Sequence, residues 1–338
     1  MMHNALSLSI ALSIFALTAA ANGAETGEQW QVPRTEHGHP NLQGFWHNTT
    51  QTPIERPVEL GEQRAYTEAE VQALEEAARE FERQKAEPLE GDREPPPLGG
   101  AIGQEADINF SDVFVNVLRV KGEYRTSMIV DPPNGRFPFR ENGRRQDIYG
   151  QYSARGLDAS DGPEGRTAGD RCLSRGIPPM TVTPYNNNFQ IVQNKDYVMI
   201  MGEMVHDARI IRLNKEHHPG DVKTWMGDAV GYWEGDTLIV HSKNFRPEIS
   251  HFRLISTDQL ELTERFEIVG ENEIFYSVTV TDPQVYTQPF TEELTLMRKV
   301  PGELIYEYSC HEGNYGLEGI LAGARRVEWD ARSRGQVP

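Results

Sequence analysis

Alternating apolar and polar residues dominate the second half of the chain. Between residues 189 and 311, short β-type segments follow one another, and tight turn sequences such as Asn-Lys-Asp, Glu-Gly-Asp and Pro-Gly-Glu separate many of them. The segments are FQIVQ, YVMIM, ARIIRL, VGYW, TLIVHS, FRLIS, LELTERFEIV, EIFYSVTV, EELTLMRKV and ELIYEYSC. Strands joined by hairpin turns are typical of an antiparallel barrel or sandwich and not of βαβ units. The chain is therefore predicted to be mainly β.

Two helical patterns flank the predicted strands. Thr67, with Glu70 three residues later, forms a capping-box signature, and apolar residues then recur at helical spacing as far as Phe81. This pattern predicts an amphipathic N-terminal helix. A second apolar stripe, from Leu317 to Val327, predicts a short C-terminal helix that packs back on the sheet.

The N-terminus has the composition of an export signal. Residues 1–24 contain no Lys, Arg, Asp or Glu, and their apolar run ends in small residues. This predicts a cleaved signal peptide and a periplasmic or secreted protein. Residues 25–112 are then expected to form an irregular arm with one helix, and 113–330 an antiparallel barrel domain that includes a polar loop at 140–180. A loop this long and arginine-rich is expected to be pinned to a functional site.

The charge balance limits the partners. The chain has 33 basic and 51 acidic residues, for a formal net charge of −18. Such a surface repels phosphate backbones and anionic lipid headgroups, so nucleic acid is not an expected partner. No segment after the N-terminal signal is long and apolar enough to predict a membrane span. A small-molecule substrate or ligand is the expected partner.

Two cysteines, Cys172 and Cys310, are the only thiols in the sequence. In an oxidising compartment such a pair predicts one disulfide, and two buried free thiols are the alternative. Neither cysteine lies in a C-x-x-C motif, so thioredoxin chemistry is not indicated. If the two are bonded, the loop containing Arg171 is brought beside His311 and Glu312.

Metal binding has no spacing signature in this sequence. If ELIYEYSC is a strand that continues into His311, Cys310 and His311 point to opposite faces and do not ligate one metal together. The later histidines form no H-x-x-x-H, H-x-H or H-E-x-x-H motif. No metal ligand and no cofactor are therefore assigned, and convergence of distant strand residues on a metal stays the alternative.

The segment GEMVHDARII contains one candidate acid–base group. On a continuous strand, His206 shares a face with Met204 and Ile210, and burial there lowers the pKa of His206 toward that of a usable base. A structural core histidine is the alternative. Asp207 and Arg209 lie on the other face, where they form either a salt bridge or an anion site.

Other polar and aromatic residues are candidates for ligand contact. Three successive amides, Asn186–Asn188, either form a turn or line a pocket, and the Trp residues of TWMGDAVGYWEGD either form a ligand wall or fill the barrel end. The predicted substrate-binding residues are Arg171, Tyr185, Asn187, Asn188, Trp225, Trp233 and Tyr315.

Several strings occur together and in order: RTSMIVDPPNGR, EMVHDARII, GYWEGDTLIV, TVTDPQVYTQP and YSCHEGNYG. Together they resemble a large family of secreted bacterial proteins. That resemblance implies no particular activity for this chain. The hairpin containing YWEGDTLIV, with the strands after it, is also similar to lipocalin-like (calycin) barrels. That resemblance implies a closed antiparallel barrel with a small-molecule cavity and implies nothing about chemistry.

The leading functional hypothesis is an exported lyase, isomerase or hydrolase that acts on a partly apolar or aromatic substrate without a cofactor. The alternative is a non-catalytic periplasmic small-molecule-binding barrel, and a metal-dependent oxidoreductase comes third. The candidate catalytic residues are His206 and His311 as acid and base, Asp207 or Glu312 as orienting groups, and Arg209 or Arg171 for an anionic intermediate.

Overall fold

The structure is a computed structural model, and it describes residues 30–88, 91, 114–174, 178–180, 182–183, 185–247 and 254–336. The chain divides into a short N-terminal unit, Met1–Gln31, and a unit covering Val32–Pro338 that contains all the described strands and helices. The predicted signal peptide at residues 1–24 lies outside the described residues.

The unit is built from strands, with α-helices at three places and short 3-10 turns at four in its described part. The strands are β1 (Gly44–His47), β2 (Arg119–Val120), β3 (Glu123–Tyr124), β4 (Ile129–Asp131), β5 (Asn188–Gln193), β6 (Tyr197–Gly202), β7 (Ala208–Leu213), β8 (Asp228–Glu234), β9 (Thr237–Lys243), β10 (Glu261–Gly270), β11 (Glu273–Thr281) and β12 (Phe290–Arg298). The α-helices are α1 (Glu68–Lys85), α2 (Ile148–Ala154) and α3 (Tyr315–Ser333).

Nine strands close into a barrel. The hydrogen-bonded order is β1-β5-β6-β7-β8-β9-β10-β11-β12, and β1 pairs with β12 as well as with β5, which completes the ring. The short strand β4 pairs with the other end of β12, and β2 pairs with β3 in a separate two-stranded ribbon. The predicted mainly-β barrel is confirmed, and the sandwich alternative is not formed.

One neighbouring pair departs from the predicted antiparallel order. Strands β7 and β8 are parallel, with Ile211 opposite Ala229 and Leu213 opposite Gly231, whereas every other pairing in the ring is antiparallel. Strand directions that alternate around a closed ring return to their starting sense only if the number of strands is even. A ring of nine strands therefore needs a parallel pair, and the connection between its two strands, residues 214–227, must cross from one end of the barrel to the other.

The predicted last strand, ELIYEYSC, is wrong. Residues 303–310 follow β12 without pairing to any strand, and Leu304 and Tyr306 are largely exposed. The reason is that both edges of β12 are already occupied, one by β11 and the other by β4 and β1. The predicted opposite orientation of Cys310 and His311, which assumed a strand, loses its basis.

The helices form as predicted, with two differences. At α1, Thr67 Oγ1 accepts a hydrogen bond from Glu70 N at 3.3 Å and Glu70 Oε2 accepts one from Thr67 N at 2.7 Å, so the capping box is confirmed. The apolar face of α1 is buried only at Val71, and Phe81 is exposed.

No described helix has the length and apolarity that crossing a bilayer requires.

Helix α3 is longer than predicted, and none of its residues is buried, so the expected packing of its apolar face on the sheet is not observed. It is instead attached to the polar loop of residues 140–174. The Arg325 guanidinium donates to the carbonyl oxygens of Asp161 at 3.0 Å and Ser160 at 3.2 Å.

The barrel interior contains an ion pair surrounded by apolar side chains. Arg209 Nη1 donates to Glu264 Oε1 at 2.9 Å, and Arg209 Nη2 donates to Glu264 Oε2 and to Ser242 Oγ, the latter at 2.7 Å. The side chains of Arg209 and Glu264 are 2% and 0% exposed. Tyr276 donates its hydroxyl to Glu264 Oε1 at 3.0 Å and accepts Met180 N at 3.2 Å. Burial raises the pKa of Tyr276 well above its ordinary value, so this hydroxyl stays protonated.

We expect Arg209→Leu to lower the free energy of unfolding by about 3–5 kcal/mol, because it leaves the buried Glu264 carboxylate without its partner. The double variant R209L/E264L should regain most of that loss. Urea unfolding curves of both variants give the comparison. Arg265→Leu, which removes an exposed ion pair to Glu234, serves as control and should cost at most about 1 kcal/mol. Equal losses for the single and double variants would contradict the electrostatic role of the pair.

Candidate functional site

The turn between β6 and β7 determines the position of His206. Val205 and His206 both adopt left-handed backbone angles, with φ of 60° and 45°, and β7 begins only at Ala208. The turn interrupts the strand alternation, so Met204 and Val205 are buried while His206 is exposed to solvent. The prediction that His206 lies on an apolar face and is desolvated there is wrong.

Asp207 and Arg209 do not clamp one another. Asp207 is buried and accepts a hydrogen bond from Ser174 Oγ at 2.9 Å, whereas Arg209 points into the barrel and pairs with Glu264. Because the Arg209 guanidinium is enclosed, it does not face an anion on the outer surface. Arg209 thus forms a salt bridge, as the structural alternative predicted. Its partner is Glu264, which the sequence pattern did not indicate.

The predicted disulfide is confirmed. Cys172 and Cys310 are joined with an S–S distance of 2.04 Å across a sequence separation of 138 residues. Beside it, Asn314 Nδ2 donates to the carbonyl oxygen of Asp170 at 2.8 Å. The bond holds the arginine-rich loop against the segment that precedes α3, where His311 and Glu312 are both exposed.

The amide row serves structural contacts. Asn187 Oδ1 accepts Thr183 N at 2.7 Å, which closes a local turn. Asn188 Nδ2 donates to Glu203, and Asn188 Oδ1 accepts from Lys299 Nζ at 2.9 Å. Glu203 is buried, and its other carboxylate oxygen accepts Tyr306 N at 3.0 Å. These contacts join the end of β6 to the segment after β12.

The predicted aromatic residues lie in different places. Trp233 packs against the barrel core and stacks on His39 with ring centroids 5.4 Å apart. The Tyr185 hydroxyl lies 3.3 Å from that of Tyr308, near the disulfide. Tyr315 begins α3 and is 79% exposed. Trp225 alone of these four lies at a large surface groove.

That groove has a volume of about 1130 Å³ and lies between α2, the loop that carries Arg171, and the barrel. We call it the arginine groove, because five arginines line it against two carboxylates. Its charged and aromatic lining residues are Arg144, Arg145, Asp147, Tyr149, Tyr152, Arg155, Glu164, Arg171, Trp225 and Arg246.

Local hydrogen bonds hold the wall of the arginine groove. The Asp147 carboxylate caps α2 by accepting Gly150 N at 2.7 Å, so this acid is turned toward the helix end. Tyr149 donates its hydroxyl to Asp170 Oδ2 at 3.1 Å, and Arg166 pairs with the same carboxylate at 3.1 Å. Asp170 lies two residues before Cys172, so the disulfide indirectly fixes α2.

A tight turn holds Trp225 at the edge of the groove. Thr224 Oγ1 donates to Gly227 O at 2.8 Å, and Arg246 N donates to Thr224 O at 3.0 Å. Gly227 has a φ of +68°, and a Cβ placed there would lie 2.6 Å from the Phe245 ring, so the turn requires glycine. The Arg246 guanidinium lies over the Trp225 ring, 4.5 Å from its centroid.

A second polar cluster lies under the crossover, on the outer face of the barrel. His217 Nε2 is 2.8 Å from His241 Nδ1, and His217 Nδ1 is 3.1 Å from Asp228 Oδ2. Asp228 also accepts Arg212 Nη2 at 2.7 Å and His218 N at 2.6 Å. Burial lowers the pKa of His217, although Asp228 opposes the shift. The cluster fastens the crossover to β7, β8 and β9.

Arg171 and Trp225 are the two predicted binding residues that the structure brings to one groove. Sequence reasoning missed Arg144, Arg145, Arg155 and Arg246, although the high arginine content of the 140–180 loop was a signal for the first three. Within the described ranges, no three His, Cys, Asp or Glu residues are grouped so that they could hold a metal ion.

No protein-family model matches this chain, and no curated protein matches it. Among solved structures, it is similar to the crystal structure of a mutant of the fluorescent protein UnaG, with 15% identity and a TM-score of 0.22. The match covers 39% of this chain and 86% of that chain. A TM-score this low establishes neither a shared ligand nor a shared site. The fold and the groove define the chain as a closed β-barrel with a loop tethered by a disulfide.

Replacing both cysteines by serine should lower the free energy of unfolding by about 4–5 kcal/mol in the chain-entropy model, because the covalent loop is long. The loop that carries Arg171 should also lose protection in amide hydrogen exchange. Reduction of the unmodified protein should reproduce both effects. If the double variant unfolds at the same urea concentration as the unmodified protein, the disulfide does not stabilise the fold.

The stability of the protein should fall as the pH is lowered below 6.5 through the folded-state pKa of His217. In this window the unfolded chain, with an ordinary histidine pKa of 6.5, binds more protons than the folded one, whose His217 pKa is lowered. Urea unfolding at several pH values should show a shallower dependence for His217→Gln. Burial also lowers the pKa of His47, so part of the slope should remain. A full slope in H217Q would exclude His217 as a source.

Proposed function

We propose that this chain is a small-molecule-binding β-barrel whose arginine groove binds an anionic organic molecule. The observation that carries the proposal is the gathering of five arginines around aromatic rings in a chain of net charge −18. Most of the surface of such a chain repels anions. A local excess of guanidinium groups in a concave site is therefore a specific feature and not a consequence of composition.

The guanidinium groups are suited to oxyanion recognition. Within the described residues, Arg145 and Arg171 form no ion pair, and the contact between Arg144 and Glu55 is long, at 3.9 Å. Guanidinium groups close to one another repel unless an anion lies between them. A planar guanidinium donates two parallel hydrogen bonds to a carboxylate, sulfonate or phosphate, which gives orientation as well as binding energy.

Aromatic faces in the arginine groove suit an organic ligand rather than an inorganic ion. Arg155 lies over the Tyr152 ring at 4.5 Å, and Arg246 lies over Trp225 at the same distance. Each pair combines a positive charge with an apolar face. Such a combination can bind the charged group and the carbon skeleton of one molecule.

The catalytic hypothesis receives less support than binding. Its proposed base His206 is exposed, Asp207 is bonded to Ser174, and Arg209 is enclosed in the barrel. No described contact joins His206 with His311. A binding role needs none of these residues to act together.

The disulfide is consistent with an oxidising compartment, and such a location suits a small-molecule-binding role. The disulfide between Cys172 and Cys310 is typical of periplasmic or secreted proteins. We propose that the chain works in such a compartment, where the disulfide holds the Arg171 loop beside α2 and keeps the arginine groove in shape.

The double variant R145Q/R171Q should bind naphthalene-1-sulfonate about tenfold or more weakly than the unmodified protein, because two charge-assisted donors are removed. Isothermal titration calorimetry at low ionic strength measures the dissociation constant. Added salt should weaken binding to the unmodified protein. The neutral analogue 1-naphthol should bind much more weakly than the sulfonate.

The matched control is R265Q/R326Q, which removes the same net charge at exposed sites outside the arginine groove. It should leave the dissociation constant nearly unchanged. Equal weakening in both double variants would show that net charge, and not the groove, attracts the anion. Absence of binding at millimolar concentrations of the sulfonate would refute the proposed function.

A further inference from the structure

A second hollow lies on the other side of Trp225. It has a volume of about 400 Å³ and runs along the outer face of β7, and we call it the apolar cleft. Its apolar side chains are Tyr197, Ala208, Ile210, Val222, Trp225, Met226 and Ala229. Tyr197, Ile210 and Val222 are 44%, 48% and 46% exposed. Clustered exposed apolar residues of this kind mark interaction sites more often than isolated ones do.

The parallel pairing produces the apolar cleft. Strands β7 and β8 pair only from Ile211 to Leu213 on β7, so its first residues have no β8 neighbour. The crossover turn that contains Trp225 lines the apolar cleft together with this part of β7. Ala208 and Ile210 point outward and are exposed, because Arg209 points into the barrel.

The charges in the apolar cleft are already paired. Arg212 donates to Asp228 at 2.7 Å, and Asp228 also contacts His217 and the backbone of His218. Among their described lining residues, the cleft thus presents apolar surface with its charges paired, whereas the arginine groove has five arginines against two carboxylates. Trp225 lines both hollows.

We propose that the two hollows are the two halves of one site for an amphiphilic anion, with its charged head in the arginine groove and its apolar tail across Trp225 in the apolar cleft. This inference rests on the proposed function, since it specifies the ligand class of the same groove. Arg246 supports this placement of the charged head and the apolar tail. Its guanidinium lies over the ring of Trp225, the residue that the two hollows share.

A ligand that occupied only one of the two hollows would leave the binding groups of the other unused. A small inorganic anion would use the arginines and leave the exposed apolar side chains of the apolar cleft in water. An uncharged apolar molecule would use the cleft and make no charge-assisted hydrogen bond to Arg145 or Arg171, which form no ion pair with any described residue. A molecule with both parts removes apolar surface from water and neutralises the guanidinium groups in one binding event.

The test uses a series of linear alkyl sulfonates, from butane-1-sulfonate to decane-1-sulfonate, each below the concentration at which it forms micelles. Calorimetry on the full chain with its disulfide intact gives the dissociation constant for each length. Affinity should increase about threefold per methylene while the tail fills the apolar cleft, and then level off.

The variant I210T/V222T keeps β-branched side chains and makes the apolar cleft more polar. It should weaken decane-1-sulfonate about fivefold or more and leave butane-1-sulfonate nearly unchanged. The matched control is V192T/V300T, at exposed positions outside both hollows, and it should keep the full dependence on chain length. R145Q/R171Q should weaken sulfonates of every length.

Four results would count against the inference, and they separate it from the proposed function. If affinity depends on the arginines but not on chain length, or if I210T/V222T keeps the full length dependence, the tail lies elsewhere and anion binding in the arginine groove stands. If V192T/V300T flattens the dependence as much as I210T/V222T, the tail contacts are not specific to the apolar cleft. If neither alkyl sulfonates nor naphthalene-1-sulfonate bind, the proposed function fails as well.

Discussion

Closure of a nine-stranded ring is the constraint on which the rest of this structure depends. An odd ring cannot alternate throughout, so β7 and β8 run in the same direction and residues 214–227 must cross the outside of the wall. The crossover covers the histidine cluster and supplies Trp225. The two hollows beside Trp225 thus follow from the way the sheet closes and not from a separate binding domain.

Arginine has two distinct roles in this chain, and the surroundings decide which one applies. Arg209 is enclosed, and its two terminal nitrogens donate to Glu264 and Ser242 within the barrel. Among the described residues that line the arginine groove, five are arginines and two are carboxylates. A buried guanidinium without a partner is strongly destabilising, whereas an exposed one remains available to a ligand.

The fold was largely predictable, because local patterns determine most of it. Strand-like patterns between turn sequences identified β10 and β11, the Thr67 capping box identified α1, and two cysteines in an export context predicted the disulfide. The position of His206 was not predictable, because two consecutive non-glycine residues with left-handed angles interrupt the alternation at that point. The parallel pair was also missed, since no local pattern reports how many strands close a ring.

The candidate site was predictable only in fragments. Arg171 and Trp225 stood out by residue type, but Arg144 and Arg246 are about a hundred residues apart in sequence and meet only through the barrel topology. The apolar cleft gave no signal, because Ile210 lies in an ordinary strand pattern. Its exposure depends on the short overlap between two strands, which is a property of the assembled wall.

The position of the cystine along the chain bears on how the wall is assembled. The covalent circuit from residue 172 to residue 310 encloses β5 to β12, which are eight of the nine wall strands. Strand β1 belongs to the segment ahead of that circuit, yet it forms the seam between β5 and β12. Oxidation of the thiols and sealing of the seam therefore involve different parts of the polypeptide, and a single cut between residues 47 and 172 would separate the sealing strand from the covalent loop that carries the other eight.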